Sequence, residues 1–270
     1  MTDANAQAVT ELVRGGLNRR EARWLVEEFG SNGHALQVAA QRRRDGEPLQ
    51  YVIGHWPFRS LDLEVDERVL IPRPETEELV TAAIRELARA QLSEPLIMDL
   101  GCGSGAIGLA LLDELRERGV AATLVAVDES LDALALAQRN ARKHELSGAT
   151  FVHSSWFDDL DLALHDSIDL IVANPPYVSD EEFAGLDAVL RYEPRSAIVA
   201  PDSLGVTGFA DLEIIIAQSI TWLKPGGVLV CEHANTHRDA VLAAATSAGL
   251  RDVKDLEDLS GQPRIMVAHR

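Results

Sequence analysis

From residue 95 onward, short apolar runs alternate with longer stretches in which apolar residues recur at helical spacing. Such short runs are typical of buried strands, and the longer stretches are typical of amphipathic helices. Strands alternating with helices predict an α/β fold with a doubly wound, mostly parallel, Rossmann-like sheet. The predicted strands are 96–100, 123–128, 149–153, 168–173, 226–232 and 263–268, and the predicted helices are 105–118, 130–144, 207–222 and 236–248.

The first part of the chain, residues 3–46, has a purely helical pattern. Asn18 is a good N-cap with Glu21 as its capping-box partner, and Gly30 ends the same helix. Apolar residues at helical spacing form a stripe that is expected to be buried. The members of this stripe are Leu17, Trp24, Leu25 and Phe29.

A β-hairpin is predicted between the helical part and the α/β part. Residues 51–54 and 61–65 alternate in polarity, with a turn region between them. Pro72 and Pro74 then stop any strand, and a helical period returns over residues 75–91. The predicted organisation is an N-terminal helical domain (1–49), a β-hairpin linker (50–74) and an α/β domain (75–270).

Charge narrows the classes of function. The 270 residues include 25 basic and 43 acidic side chains, for a formal net charge of −18. This balance disfavours stable binding of nucleic acid, because neutralising phosphates requires clusters of Lys and Arg. Residues 1–45 are nearly neutral, with seven Arg against six acidic residues. The run 42–44 is either a contact for RNA or an acidic partner, or a solvated helix end that complements the helix dipole.

The cysteine and histidine content indicates neither a disulfide framework nor a metal site. Cys102 and Cys231 lack zinc-ligand spacing, and the eight histidines include no pair with metal-ligand spacing. A reducing, cytoplasmic setting is therefore expected. The first ten residues are polar, and no stretch is long and apolar enough for a membrane span, so no membrane partner is expected.

The most informative motif is the acceptor turn, Asn174-Pro175-Pro176-Tyr177, which follows the predicted strand 168–173. Ligands of open α/β sheets bind at the carboxyl ends of strands. The two prolines lack N–H donors and fix an extended backbone, which leaves nearby carbonyls free to accept hydrogen bonds. An amide, free carbonyls and an aromatic ring suit a planar –NH2 group. The alternative is a proline-rich turn with a surface tyrosine.

A second motif is the glycine loop, Gly101-Cys102-Gly103-Ser104-Gly105, between a predicted strand and a predicted helix. Its glycines permit a tight turn and a close approach of backbone to ligand. The segment fits the dinucleotide fingerprint in two registers, 101–106 and 103–108. A glycine fingerprint alone is weak evidence, and NAD is the obvious competing cofactor.

Two acidic residues favour a different cofactor. Asp99 precedes the glycine loop, where a carboxylate would repel a pyrophosphate and would suit a cation or an amine. Asp128 ends the next predicted strand and would reach a ribose diol; its alternative role is to cap the following helix. S-adenosylmethionine has a sulfonium, an amino group and a ribose but no phosphate, so it satisfies both carboxylates.

These motifs together resemble a class I S-adenosylmethionine-dependent methyltransferase that acts on amino groups. Three further segments resemble the peptide chain release factor glutamine methyltransferases, and the resemblance runs from about residue 15 to the end. The segments are Gln50-Tyr51-Val52-Ile53-Gly54, Val69-Leu70-Ile71-Pro72-Arg73-Pro74-Glu75-Thr76-Glu77 and Tyr192-Glu193-Pro194-Arg195. The family methylates the side-chain nitrogen of the glutamine in the Gly-Gly-Gln motif of class 1 release factors.

The resemblance implies a seven-stranded methyltransferase sheet. A monomer is expected, and the nearly neutral N-terminal helices, which carry no motif chemistry, are expected to recognise the release factor. The resemblance also implies that residues 101–105 wrap the cofactor, that Asp128 holds its ribose, and that Trp156 lies by its adenine. Asn174, Pro175, Pro176 and Tyr177 would take the substrate glutamine. The chain departs from the family at Cys102, which is often threonine, and at 261–264, where an acidic residue is expected before Arg264.

The chemistry implied at the acceptor turn needs no strong base. An amide nitrogen is a poor nucleophile because its lone pair is delocalised into the carbonyl. The Asn174 side-chain oxygen and the Pro175 carbonyl can each accept one N–H and stabilise charge that grows on nitrogen. Tyr177 would pack on the amide plane, and Trp156 or Phe157 would stack on adenine.

Three rival functions share part of this pattern. An adenine-N6 methyltransferase has the same acceptor turn, but the net charge of −18 disfavours it. A nicotinamide-dependent oxidoreductase shares the glycine loop and would bind NAD(P)H. A non-catalytic binding module would bind a partner and no cofactor, and the intact glycines argue against it.

Overall fold

The computed structural model describes residues 3–30 and 32–270. Its N-terminal part consists of helices α1 (Asp3–Arg14), α2 (Arg19–Phe29), α3 (Gly33–Arg44) and α4 (Leu49–Ile53). The predicted stripe is internal: Leu17 and Leu25 are buried, and Trp24 and Phe29 pack against the same cluster. The prediction of a helical N-terminal region is therefore confirmed.

The N-cap of α2 is confirmed, but its predicted capping box is wrong. The Asn18 side chain accepts from the backbone N–H groups of Arg20 and Glu21, both at 2.9 Å. The Glu21 carboxylate instead accepts two hydrogen bonds from Arg43, at 3.0 and 2.9 Å. The Glu21 side chain that a capping box would use is instead engaged in an ion pair with α3.

The hairpin consists of β1 (His55–Phe58) and β2 (Leu61–Glu64), paired antiparallel. The prediction of a strand over residues 51–54 is wrong, because this segment belongs to α4. Gly54 ends that helix with φ at 88°. The alternating polarity of residues 51–54 suggested a strand because neighbouring residues of this helix face two different cores. Val52 packs among the N-terminal helices, whereas Tyr51 packs against Val65 and Ile71.

The remainder confirms the doubly wound sheet, with seven strands in the order β5-β4-β3-β6-β7-β9-β8. The first five are parallel, and β9 runs antiparallel between β7 and β8. The strands are β3 (Leu96–Leu100), β4 (Thr123–Asp128), β5 (Ala149–His153), β6 (Ile168–Ala173), β7 (Leu223–Glu232), β8 (Arg251–Glu257) and β9 (Pro263–His269). The helices are α5 (Thr76–Ala90), α6 (Ala106–Glu117), α7 (Leu131–Lys143), α8 (Asp180–Gly185), α9 (Ala210–Trp222) and α10 (Arg238–Ser247).

Alternate side chains of the central strands enter two cores, one on each face of the sheet. Ile97 and Val172 face a core shared with α5 and α6, whereas Met98 and Ile171 face one shared with α9 and α10. Because the chain moves outward from β3 to β5 and then returns to β6, the topology reverses between β3 and β6. Open α/β sheets bind ligands at such a point.

Neither cysteine forms a disulfide; Cys102 and Cys231 are both free and buried. Within residues 3–30 and 32–270, no helix is long and apolar enough to cross a membrane. The same residues contain no cluster of three or more His, Cys, Asp or Glu side chains placed to hold a metal ion.

Candidate functional site

A cavity of about 290 Å³ opens where the parallel strands end, near the lower bound of roughly 300 Å³ for small-molecule sites. The strand register brings Gly101, Asp128, Asn174 and Glu232 to the same edge of the sheet. Most of the predicted site residues form its wall: Gly101, Cys102, Gly103, Ser104, Asp128, Trp156, Asn174 and Pro176. Gly105, Pro175 and Tyr177 are not part of that wall.

The glycine loop is fixed by hydrogen bonds to β4. The N–H groups of Gly101 and Cys102 both donate to the carbonyl of Val127 at 2.9 Å, and the N–H of Gly103 donates to Asp128 Oδ2 at 2.8 Å. Gly101, Gly103 and Gly105 all have positive φ, at 71°, 54° and 82°. This backbone conformation favours glycine. The three glycines therefore allow the loop to adopt the conformation in which it lies against the cavity.

Asp128 lines the cavity with a partly committed carboxylate. Oδ2 accepts from Gly103 and Oδ1 accepts from the N–H of Ser130 at 2.9 Å. Burial raises the pKa of Asp128. The helix cap itself is Ser130, whose hydroxyl accepts from Ala133. Each carboxylate oxygen has a second lone pair, so Asp128 can still accept from a diol.

Trp156 stands beside the glycine loop in a left-handed conformation with φ at 47°. A Cβ at Gly101 would lie 3.3 Å from Trp156 Cζ3, a tight contact that would push the ring back slightly. The indole Nε1 donates to Asp211 Oδ1 at 3.0 Å. Phe157, the other predicted stacking ring, is buried and stacks on Trp222 at 5.5 Å, so that alternative is wrong.

Asp99 is not a ligand-facing residue, contrary to the prediction. It is fully buried beneath α6, where Oδ2 accepts from the N–H of Gly108 at 2.8 Å and Oδ1 has no partner. Burial raises its pKa to about 7. A strand residue two positions before the loop points to the core between sheet and helix, so its carboxylate holds the helix backbone.

The acceptor turn is tied to two residues that the sequence did not single out as site residues. The Asn174 Nδ2 donates to Thr76 Oγ1 at 3.1 Å, and the Thr76 hydroxyl donates to Glu232 Oε2 at 2.7 Å. The Tyr177 hydroxyl donates to Glu232 Oε1 at 3.3 Å. Asn174 Oδ1 and the Pro175 carbonyl accept no hydrogen bond from any described residue. The motif predicted free acceptors at this turn, and these two oxygens are the candidates for that role.

The signals for these missed residues differ. Glu232 ends an apolar strand, as Asp128 does, so the same pattern identifies it. Thr76 lies inside the segment 69–77 but forms no recognisable pattern with the acceptor turn, 98 residues later. Asp211 is an acidic residue in the first turn of a helix, α9, which is an ordinary position for a carboxylate.

A buried carboxylate joins the two remaining motifs at the mouth of the cavity. Glu193, which is 5% exposed, accepts from the N–H of Ile71 at 2.9 Å and pairs with Arg73 at 2.6 Å. Arg73 and Pro194 both line the cavity. This ion pair links the segment 192–195 to the segment 69–77 across about 120 residues of chain.

The charges of the wall fit S-adenosylmethionine better than a dinucleotide. Asp128, Glu129 and Asp211 are its acidic members. Its two arginines are already held by carboxylates, Arg68 by Asp66 at 2.6 Å and Arg73 by Glu193. A pyrophosphate would therefore meet acids without a free cation, whereas a ribose and an aminoalkyl chain would find acceptors.

A family model described as a methyltransferase domain matches residues 93–262. Among solved structures, the 16S rRNA N2 G1207 methyltransferase of T. thermophilus, in complex with AdoMet and guanosine, is similar in fold. Its TM-score is 0.55 at 17% identity, over 80% of this chain and 49% of that one. A methyltransferase from Pyrococcus furiosus gives 0.52 at 13% identity, over 78% and 89%.

Curated relatives cover nearly the whole chain. The release factor glutamine methyltransferase of Salmonella typhimurium (strain LT2) is 37% identical over 276 residues, which is 96% of this chain and 95% of that protein. The protein of the same name from Pasteurella multocida (strain Pm70) is 39% identical over 242 residues, 85% of this chain and 79% of that protein. The chain therefore belongs to the family of release factor glutamine methyltransferases.

Proposed function

We propose that this protein transfers a methyl group from S-adenosylmethionine to the side-chain amide nitrogen of the glutamine in the Gly-Gly-Gln motif of class 1 release factors. The observation that carries the proposal is the pair of unsatisfied acceptors at the acceptor turn, Asn174 Oδ1 and the Pro175 carbonyl. A glutamine amide has two N–H donors. The family membership of the chain supports the same substrate.

The cofactor-binding residues follow from the wall of the cavity. The backbone of residues 101–105 would wrap the aminoalkyl part, and Asp128 would accept from the ribose hydroxyls. The Trp156 ring, held by Asp211, would pack on the adenine. When bound, S-adenosylmethionine would supply a methyl carbon that is already activated by its sulfonium.

The protein's own contribution to the reaction is orientation and charge stabilisation. Asn174 Oδ1 and the Pro175 carbonyl accept the two amide hydrogens, which turns the nitrogen lone pair towards the cavity. Both acceptors interact more strongly as positive charge develops on that nitrogen, so they favour the transition state over the bound substrate. The nitrogen gains the methyl group as the sulfur–methyl bond breaks, and the acidic N–H that results then loses its proton to solvent, so no basic side chain is required before the attack.

The N-terminal helices are proposed to select the release factor. They border the catalytic part directly: the Tyr192 hydroxyl donates to the carbonyl of Asp45 at 3.0 Å. A surface groove of about 350 Å³ lies between α2, the hairpin and the segment after the acceptor turn, with Trp24, Trp56 and Val189 among its walls. We further propose that the enzyme acts as a monomer in the cytoplasm, where release factors work.

The arginine run at 42–44 does not form a free basic patch. Arg42 pairs with Glu47, Arg43 with Glu21 at 2.9 Å, and the Arg44 Nε donates to the carbonyl of Gly15 at 2.9 Å. Together with the net charge of −18, this supports a protein substrate and not a nucleic acid.

The function is tested by mass spectrometry of the Gly-Gly-Gln peptide after incubation of enzyme, S-adenosylmethionine and release factor, with DNA and RNA as control substrates. Asn174→Ala should leave S-adenosylhomocysteine affinity within a few-fold and lower the single-turnover rate roughly 10²–10³-fold. Asn174→Asp keeps an acceptor and should retain partial activity. Equal rates for wild type and Asn174→Ala would refute the acceptor mechanism, and methylation of nucleic acid alone would refute the substrate.

A further inference from the structure

Glu232 lies outside the wall of the cavity but is connected to Asn174 through one hydroxyl group. It is 2% exposed, and Thr76, which separates it from Asn174, is 4% exposed. One carboxylate oxygen accepts a hydrogen bond from the hydroxyl of Thr76, and the other accepts one from the hydroxyl of Tyr177. When Glu232 is ionised, its carboxylate can only accept hydrogen bonds, so both hydroxyl protons then point towards it.

This direction determines which way the Asn174 amide is turned. With its proton donated to Glu232, the Thr76 oxygen can only accept from Asn174. The –NH2 of Asn174 must therefore face Thr76, and its Oδ1 must face away from Thr76. If the Thr76 hydroxyl donated to Asn174 instead, the amide would rotate and offer –NH2 to the substrate, whose amide nitrogen also carries only donors.

We propose that Glu232 is a positioning residue that acts through the Thr76 hydroxyl to hold Asn174 with Oδ1 facing the substrate amide. The inference rests on the proposed function for its effect on rate, but the orientation of Asn174 is a property of the free enzyme. Glu232 lies behind the wall of the cavity, whereas Thr76 forms part of that wall and acts on Asn174 through its hydroxyl. They stabilise one of the two amide orientations of Asn174.

The surroundings of Glu232 come from three elements. Tyr177 lies on the acceptor turn, Glu75 lies beside Thr76 at the start of α5, and Arg264 lies on β9. The Arg264 cation is itself held by Asp258, with Nε and Oδ2 3.3 Å apart, which places an acid near Arg264 where the preceding residues 261–263 provide none. Burial raises the pKa of Glu232, while Thr76 and Arg264 oppose that rise.

The first test compares a substitution that keeps the Thr76 hydroxyl with one that keeps its shape but removes the hydroxyl. Thr76→Ser keeps the hydroxyl and should leave kcat within about 3-fold, whereas Thr76→Val removes it and should lower kcat roughly 10-fold or more. KM for the release factor and affinity for S-adenosylhomocysteine should change little in either variant. In the Asn174→Ala background, Thr76→Val should cause no further loss, because the residue through which it acts is absent. A wild-type rate for Thr76→Val, or a full additive loss in the double variant, would overturn the proposal.

The second test measures the orientation of the Asn174 side-chain amide in the free enzyme, without any catalytic turnover. The side-chain amide signals of Asn174 are identified in NMR spectra of selectively ¹⁵N-labelled enzyme by their loss in Asn174→Ala. In wild type these signals should shift as Glu232 titrates, and in Glu232→Gln that titration should vanish. Identical pH dependence in both proteins would overturn the relay. If no release factor is methylated, the proposed function fails while this measurement still decides the orientation.

Discussion

Asp99 and Asp128 illustrate how two carboxylates near one loop acquire different roles. Asp128 ends its strand and lines the cavity, whereas Asp99 points into the core beneath α6 and has one oxygen without a partner. An acid buried in this way costs stability whenever it is ionised. The consequence is a dependence of stability on pH that belongs to a single residue.

We expect Asp99→Asn to become more stable relative to wild type as the pH rises. The pKa of Asp99, about 7, lies above its value of 3.8 in the unfolded chain. Its contribution to stability is therefore largest below pH 3.8 and falls until the pH passes 7. Between roughly pH 6 and pH 8.5, wild type should lose about 1 kcal/mol relative to the variant.

Urea unfolding of both proteins at the two pH values measures this difference. Asp128→Asn is the comparison for a carboxylate that reaches the cavity; wild-type Asp128 accepts from the N–H groups of Gly103 and Ser130, and an asparagine can accept from only one of them. A constant stability difference between wild type and Asp99→Asn would show that Asp99 is ionised in the folded protein at both pH values.

Residues at strand ends were predictable, because a polar side chain after an apolar run marks the ligand-binding edge of such a sheet. Gly101, Asp128 and Asn174 were found in this way. Asp211 and Thr76 were not found, because each reaches the site from a helix in another part of the chain, where its own neighbours show no unusual pattern. Contacts across about 55 and 98 residues carry no local signal.

At the scale of elements, the acceptor turn is braced from outside by the loop that precedes α9. Gly208 has φ at 65°, and a Cβ there would lie 2.4 Å from the carbonyl oxygen of Tyr177. Gly205 has a similar φ of 75°, but nothing lies within 4 Å of its Cβ position. The two glycines share one backbone requirement and differ only in the contact with the acceptor turn.

Gly208→Ala should therefore lower the methylation rate and the melting temperature, because the Tyr177 backbone must move. Gly205→Ala should cost only the left-handed backbone strain, about 1–2 kcal/mol, and should keep the rate near wild type. Thermal unfolding and single-turnover rates of the two variants check this. A wild-type rate in Gly208→Ala would show that the turn tolerates displacement.

Regular elements were predicted well wherever burial was one-sided or complete. The strand β8 was missed because Arg251, Asp252, Lys254, Asp255 and Glu257 make it polar. It lies at an edge of the sheet, where charged side chains prevent pairing with other chains. The helix α4 was read as strand because a five-residue segment shared between two cores has no helical periodicity of its own.

At the scale of the whole molecule, the N-terminal helices and the catalytic part meet along α4. Tyr51 serves the catalytic side, with its hydroxyl on the carbonyl of Val69, whereas Leu49 and Val52 pack among the N-terminal helices. Removing residues 1–49 would cut through this helix. A chain that begins at Pro48 keeps α4 and its contact with the catalytic part.

We expect the chain that begins at Pro48 to bind S-adenosylhomocysteine with nearly unchanged affinity. It should methylate an intact release factor poorly but a short Gly-Gly-Gln peptide as well as the full chain does. Calorimetry and mass spectrometry with both substrates measure the three quantities. Equal rates of the two chains on the intact release factor would contradict a selecting role for α1 to α3.

The burial of both cysteines allows dyes to be attached selectively to these two parts of the molecule. Cys102 and Cys231 are buried, and burial raises the pKa of both thiols, which keeps them in the unreactive thiol form. A cysteine introduced at an exposed position therefore becomes the one fast-reacting site for a maleimide dye. Pairs of dyes on α1 and α10 can report the docking of a release factor in real time, with both native cysteines in place.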